Sequence, residues 1–280
     1  QREGAVDTLP DAPELIDICI TKHCRKGCSF CYQDCGYEGK PADKEWLNSL
    51  MWNLKTLNVF EVVLGGGEPT THPHFIDILK GFRAHGIAPN FTTADVAWLR
   101  NKGIVEAVVA DAGSVAFSCH SLYDIKRIGR SILLAGEDIA NKAVLQSIVG
   151  IVPPKELKQM IALAETMGFR HYSLVGFKQT GRAPEVMPHA IDEYNLSKLI
   201  KGFHLRFYAD TALLKLCPSI VEQYTCDVAE GKQSMYIDAV NKTMAESSYT
   251  GKAVPFSDNR YPGADEIAQI FQTFQGYDDK

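Results

Sequence analysis

Short apolar or alternating runs recur along the chain. Most are followed by a stretch whose apolar positions repeat every three or four residues. Residues 15–20, Leu-Ile-Asp-Ile-Cys-Ile, read as a first strand. Residues 43–57 then place Trp46, Leu50, Leu54 and Leu57 on one helical face. Further strands are predicted at 60–64, 88–92, 115–119, 144–151 and 171–177. The intervening helices are 75–85, stopped by Gly86; one capped by Asp95 and carrying Val96 and Leu99; 123–134; and one opened by Pro153-Pro154 and ended by Met167-Gly168. Six βα units spaced by about 30 residues predict a parallel sheet with crossover helices. Six are too few for a closed eight-unit barrel. The expected class is α/β, an open partial (β/α)6 barrel with a small C-terminal lobe.

The texture changes after Ala183. A helix is expected at 191–203 and a strand at 204–208. Segments 234–238 and 243–247 flank the turn Val240-Asn241-Lys242 as a hairpin, and 264–274 is a final helix. A boundary near residue 200 divides a barrel domain, 1–200, from a lobe, 201–280. Composition agrees with a folded protein: 45% of the 280 residues are hydrophobic and 22% charged, which excludes wholesale disorder. The net charge of -5 disfavours a general nucleic-acid binder. No apolar run approaches the ~18–20 residues of a membrane span. Residues 1–10 lack a signal-peptide pattern, so a cytoplasmic setting without a membrane is expected.

Eight cysteines change the picture: Cys19, Cys24, Cys28, Cys31, Cys35, Cys119, Cys217 and Cys226. In a cytosolic chain such thiols point to metal binding or catalysis before disulfides. Cys24, Cys28 and Cys31 form C-x3-C-x2-C in a loop after the first strand, where α/β sheets place their sites. Gly27 lets that loop fold back. A structural zinc site needs a fourth ligand, for which Cys35 or His23 is at hand. A 4Fe–4S cluster instead tolerates three protein ligands and leaves one iron open. Directly after the second strand comes Gly65-Gly66-Gly67-Glu68-Pro69-Thr70. Its glycines allow close backbone approach to a ligand, and Glu68 with nearby carbonyls suits an ammonium group. The phosphate-loop pattern is absent.

These two motifs, in this order on consecutive strand ends, resemble the radical S-adenosylmethionine (SAM) superfamily, over residues 12 to about 183. The resemblance implies that Cys24, Cys28 and Cys31 hold a 4Fe–4S cluster and that Phe30 is the aromatic residue before the third cysteine. It implies that Gly66, Gly67, Glu68 and Pro69 bind the SAM amino group. It also implies that one electron cleaves SAM to methionine and a deoxyadenosyl radical, which abstracts a substrate hydrogen. An electron donor such as flavodoxin or ferredoxin is then required. Thr92 and Ser118, at strand ends, are candidates to face SAM or substrate, as is His120. Gly181-Arg182-Ala183 resembles a turn of family members with C-terminal extensions, with Arg182 a candidate carboxylate clamp. Cys35 falls outside the matched pattern, and Tyr32 and Gly39 read as loop packing.

Cys226 before the hairpin resembles the start of a SPASM or twitch extension. There the turn glycine is replaced by Asn241 and the second cysteine by Glu246. Two outcomes stay open: a degenerate twitch-like lobe without a standard second iron–sulfur cluster, or a cluster with an unusual ligand set that includes Cys217. The resemblance favours modification of a ribosomally made peptide, by cross-linking or epimerisation. A small-molecule substrate (nucleotide, sugar or cofactor precursor) and a non-enzymatic zinc protein are the alternatives. For an epimerase, Cys226, Cys217 and Cys119 are candidate hydrogen donors.

Overall fold

The computed structural model describes residues 10–190, 193–218, 220, 230–257 and 261–276. Six strands alternate with helices as the periodicity predicts: β1 (Leu15–Thr21), β2 (Glu61–Gly66), β3 (Ala88–Thr93), β4 (Val115–Ser118), β5 (Ala143–Ile148) and β6 (His171–Val175). The helices between them are α1 (Lys44–Thr56), α2 (Phe75–Ala84), α3 (Lys102–Asp111), α4 (Leu122–Ala135), α5 (Glu137–Lys142) and α6 (Pro154–Thr166). After them come α7 (Glu193–Lys201), β7 (Arg206–Ala209), α8 (Thr211–Leu216), β8 (Ser234–Asp238), β9 (Thr243–Ala245), β10 (Val254–Pro255) and α9 (Ala264–Phe274).

All ten strands join one open sheet, in the order β10-β9-β8-β1-β2-β3-β4-β5-β6-β7. β1 to β7 are mutually parallel, so the strand after α7 continues the barrel wall as a seventh member. β8 lies parallel to β1 on the other side, with Asp17 opposite Tyr236, and β9 and β10 follow antiparallel. The sheet therefore runs unbroken past residue 200, and the C-terminal strands form one edge of the barrel wall. Alternation along the strands divides the side chains. Ile16, Ile18, Ile20, Val62, Leu64, Phe91, Val115, Phe117 and Leu145 are buried in a core with Trp46, Leu47, Leu50, Phe82, Ile128 and Ile161 of the helices. The other strand face carries Asp17, Val63, Thr92, Ser118, Gln146 and Ser173.

The structure differs from the periodicity in three places. Asp95 accepts from Ala97 N (3.1 Å) but opens only a short 3₁₀ helix, not the α-helix expected over Val96 and Leu99. Leu99 lies in that 3₁₀ helix, Ala97–Arg100, with Val96 just before it, and Asn101 accepts from Ile104 N to start α3. The left-handed residue of the β8–β9 turn is Lys242 (φ 57°), not Asn241. Asp238 accepts from the backbone N–H groups of Val240 and Asn241 and from the Asn241 amide, which shifts the reversal one residue on. The short helices α5 and α8 carry no strong pattern of their own and are fixed by their neighbours.

Candidate active site

The strand ends and the cysteine loop enclose a cavity of about 400 Å³, lined by Cys24, Cys28, Phe30 and Cys31 at one side and by Gly65, Gly66, Gly67 and Glu68 beside them. Thr92, Ser118 and His120 complete that part of the wall. The two motifs are joined by backbone: Gly67 N–H donates to Thr21 O (2.6 Å) and Glu68 N–H to His23 O (2.8 Å). A side chain at Gly66 would strike the Thr21 carbonyl and the Cys19 thiol, and one at Gly67 the His23 carbonyl. These two glycines thus admit the base of the cysteine loop. A side chain at Gly65 would meet nothing within 4 Å, so this is the glycine that leaves room in the cavity.

Glu68 is 3% exposed, and its carboxylate accepts five hydrogen bonds. The donors are Thr70 Oγ1 (2.7 Å) and N, Thr93 Oγ1 (2.7 Å), Ala94 N (3.0 Å) and Asp95 N (3.2 Å). Burial pushes its pKa up, and these bonds oppose the rise. The carboxylate ties the end of β2 to the end of β3, and its lone pairs are committed within the protein. Pro69 starts the following 3₁₀ turn and is buried outside the cavity lining.

Arg182 does not line the cavity. It grips the cysteine loop from behind: Nε donates to Cys28 O (3.0 Å), Nη2 to Cys35 O (3.0 Å), and Nη1 pairs with Asp34 (2.6 Å). Its backbone N–H donates to Cys31 O (3.0 Å), and Thr180 Oγ1 to Tyr32 O (3.0 Å). Gly181 (φ 62°) must lack a side chain, because the Cys31 and Tyr32 backbone occupies that space. Gly39 is likewise a packing glycine, against Lys22. Cys35 is 1% exposed, and its N–H donates to Cys31 Sγ (3.4 Å). Hydrogen bonding from Cys35 lowers the Cys31 pKa, and burial raises those of Cys24 and Cys28.

His120 packs edge-on against Phe30, with ring centroids 5.0 Å apart. Its backbone is fixed by Asp124, which also closes the Ser121 cap of α4. Burial pulls the imidazole pKa down to about 4, so the ring is neutral near pH 7. Its Nδ1 is buried with no hydrogen-bond partner among the described residues.

Two of the three candidate donor thiols, Cys119 and Cys217, lie outside this cavity. Cys119 is fully buried just past the end of β4 and on its outer side, near Gln146 O, Ser147 Oγ and Tyr172 OH. Neither it nor the core residue Cys217 lines the cavity. Strand alternation explains Cys119: its neighbours Ser118 and His120 point inward, so it points outward. Cys226 lies outside the described residues.

The pattern alone missed part of the cavity wall: Asp17, Cys19, Tyr32, Ser173, Lys178, Asp210 and Tyr236. Lys178 pairs with Asp210 (3.4 Å) and sits over the rings of Tyr32 (4.8 Å) and Tyr249 (4.7 Å). Tyr32 is therefore cavity wall rather than loop packing alone. Asp17 was legible as a polar residue interrupting an apolar strand, the one available signal, whereas Lys178 follows β6 and carried none.

Among the described residues no three Cys, His, Asp or Glu side chains converge on a single metal ion. Cys24, Cys28 and Cys31 nevertheless face one cavity. That suits a cubane, in which each thiolate takes a different iron, and the orphaned His120 nitrogen beside Phe30 suits a bound polar ligand. An open parallel barrel with this loop at the strand ends defines a class of radical enzyme.

The chain belongs to the radical SAM superfamily, whose sequence model matches residues 18–184. The family implies SAM and a 4Fe–4S cluster as cofactors. Among solved structures, SuiB of Streptococcus suis bound to S-adenosylmethionine matches with a TM-score of 0.65 and 16% identity, over 88% of this chain and 63% of SuiB. The chain thus spans under two thirds of SuiB in that comparison. SuiB bound to its precursor peptide SuiA matches at 0.64 and 15% identity, over 94% and 67%. The anSMEcpe enzyme with bound AdoMet and the Cp18Cys peptide matches at 0.58 and 10% identity, over 85% and 75%. At these identities the likeness is one of fold. A search of characterised proteins by sequence finds no match.

Proposed function

We propose that this radical SAM enzyme modifies a ribosomally made peptide. The observation that carries the radical chemistry is that the three motif thiols and the glycine strand face the same cavity. When bound, the cluster supplies the electron that cleaves SAM, and the resulting deoxyadenosyl radical takes a hydrogen atom from the substrate. Cys24, Cys28 and Cys31 hold the cluster, and Arg182 positions their loop through the carbonyls of Cys28 and Cys35. Because Glu68 is saturated, the carbonyls of the glycine strand are left to receive the SAM ammonium, and Glu68 fixes their direction. Phe30 and neutral His120, with Thr92 and Ser118, wall the SAM portion. Enclosure by the sheet keeps water and stray hydrogen donors from the radical.

The peptide reading is supported by the likeness to SuiB and anSMEcpe, both solved with peptides, which extends over 94% and 85% of this chain. Co-expression with each short reading frame flanking the gene, followed by mass and chiral amino-acid analysis, tests it. Loss of two hydrogens marks a cross-link, and a D-residue at unchanged mass marks epimerisation. Unmodified peptides, from enzyme that still makes deoxyadenosine, would move the substrate to a small molecule.

A further inference from the structure

The part of the cavity wall that the two motifs do not supply carries three charged side chains, Asp17, Lys178 and Asp210. Two of them answer each other. The Lys178 ammonium has Asp210 at 3.4 Å and two aromatic faces within 5 Å. Asp210 is further held by Gly176 N–H (2.8 Å) and Leu213 N–H (2.9 Å), where it caps α8. Asp17 is different. It stands in mid-strand on β1, between Val63 of β2 and Tyr236 of β8. Its side chain remains accessible to the cavity, and no hydrogen bond or ion pair to it is found among the described residues. It lies about 13 Å along the strand from Thr21, where the cysteine loop begins.

We propose, resting on the reading that this cavity receives the substrate, that Asp17 seats a cationic group of that substrate, an ammonium or guanidinium. Water can solvate the carboxylate while the cavity is open. A substrate that fills the cavity removes that water, and an unpaired carboxylate there is costly. The substrate must therefore bring its own partner. An anionic group would have to take Lys178 from Asp210 and the two rings, and would leave two carboxylates facing each other. In a peptide, the group is a lysine or arginine side chain.

The surrounding walls partly desolvate Asp17 although its side chain is open to the cavity, and this raises its pKa to about 6, with Lys178 opposing and Asp210, Glu230 and Glu61 adding to the rise. A bound cation favours the ionised form, so it is held more weakly as pH falls through that value.

The test uses the cluster-reconstituted protein with SAM and three probes: the Nα-acetyl methylamides of lysine, arginine and norleucine. Dissociation constants come from equilibrium dialysis. We expect at least one cationic probe to bind about tenfold or more tighter than the norleucine probe. The preference should shrink below pH 6 and vanish in Asp17→Asn. Equal or undetectable binding of all three probes by the parent, or a preference that survives Asp17→Asn, overturns the assignment. Deoxyadenosine formation by the parent is measured in the same preparations. Its absence would overturn the radical reading and leave the binding comparison to judge Asp17. Its presence without a charge preference would overturn the Asp17 assignment alone.

Discussion

Asp17 holds its proton more tightly than an ordinary aspartate, at about 6 against 3.8. Its contribution to stability is therefore whole below pH 4 and is lost as pH rises through 6. Because the Asp17 side chain stands exposed in the open cavity and solvent screens it, Asp17→Asn is expected to raise the unfolding midpoint by no more than about one or two degrees at pH 8 and to change it little at pH 4, as thermal melts at the two values will check. A residue that costs stability where it stands is often kept for function. Substitution of Glu68, whose five hydrogen bonds join β2 to β3, should have the opposite effect on stability. Glu68→Gln puts an amide donor against backbone or hydroxyl donors, and a loss of about 2–4 kcal/mol in urea melts is expected. An unchanged urea midpoint would show that the five bonds do not hold the strand ends. The sequence marks Glu68 and its glycines as special, but residue type alone does not say which neighbour each one serves. Gly67 yields to the His23 carbonyl, a contact between distant segments that no local pattern contains. Cys119 shows the reverse: strand alternation predicts its outward face once Ser118 is taken as inward.

The cysteine loop depends on a segment some 150 residues away. Arg182 supplies a planar fork to two loop carbonyls, and Lys cannot reproduce it. Arg182→Ala and Arg182→Lys should both retain the fold by circular dichroism yet lose iron about tenfold faster during anaerobic dialysis against a chelator. Parent-like retention by Arg182→Lys would deny the fork a role. The hairpin makes a second brace, because Asp238 pairs with Lys22 (3.0 Å) at the foot of the loop while shaping the β8–β9 turn. Strands β1 to β6 and the final helix were legible because each is a strongly patterned local run. The placement of β8 against β1 was not, since a parallel pairing between residues 15 and 234 depends on the whole fold. Nor was the start of α3, because Asp95 and Asn101 are equally good caps by residue type and each opens its own segment, a 3₁₀ helix and α3.

The molecule as a whole is one open sheet whose first strand carries both the cysteine loop at its end and Asp17 in its middle. Its C-terminal strand β8 closes the cavity beside that strand and contributes Tyr236. Under the proposed reading, the cofactor site at the end of β1 and the Asp17 site in its middle share a single strand, which suits a reaction that must fix one hydrogen atom before the radical. The central claim is that the three motif cysteines support reductive cleavage of SAM in this cavity. The direct measurement is deoxyadenosine formed from SAM by anaerobically reconstituted protein with dithionite, compared with Cys24→Ala, Cys28→Ala and Cys31→Ala prepared in parallel. The account predicts continuing formation by the parent and none above background in each variant. Formation at the parent rate in any one of the three variants would contradict it.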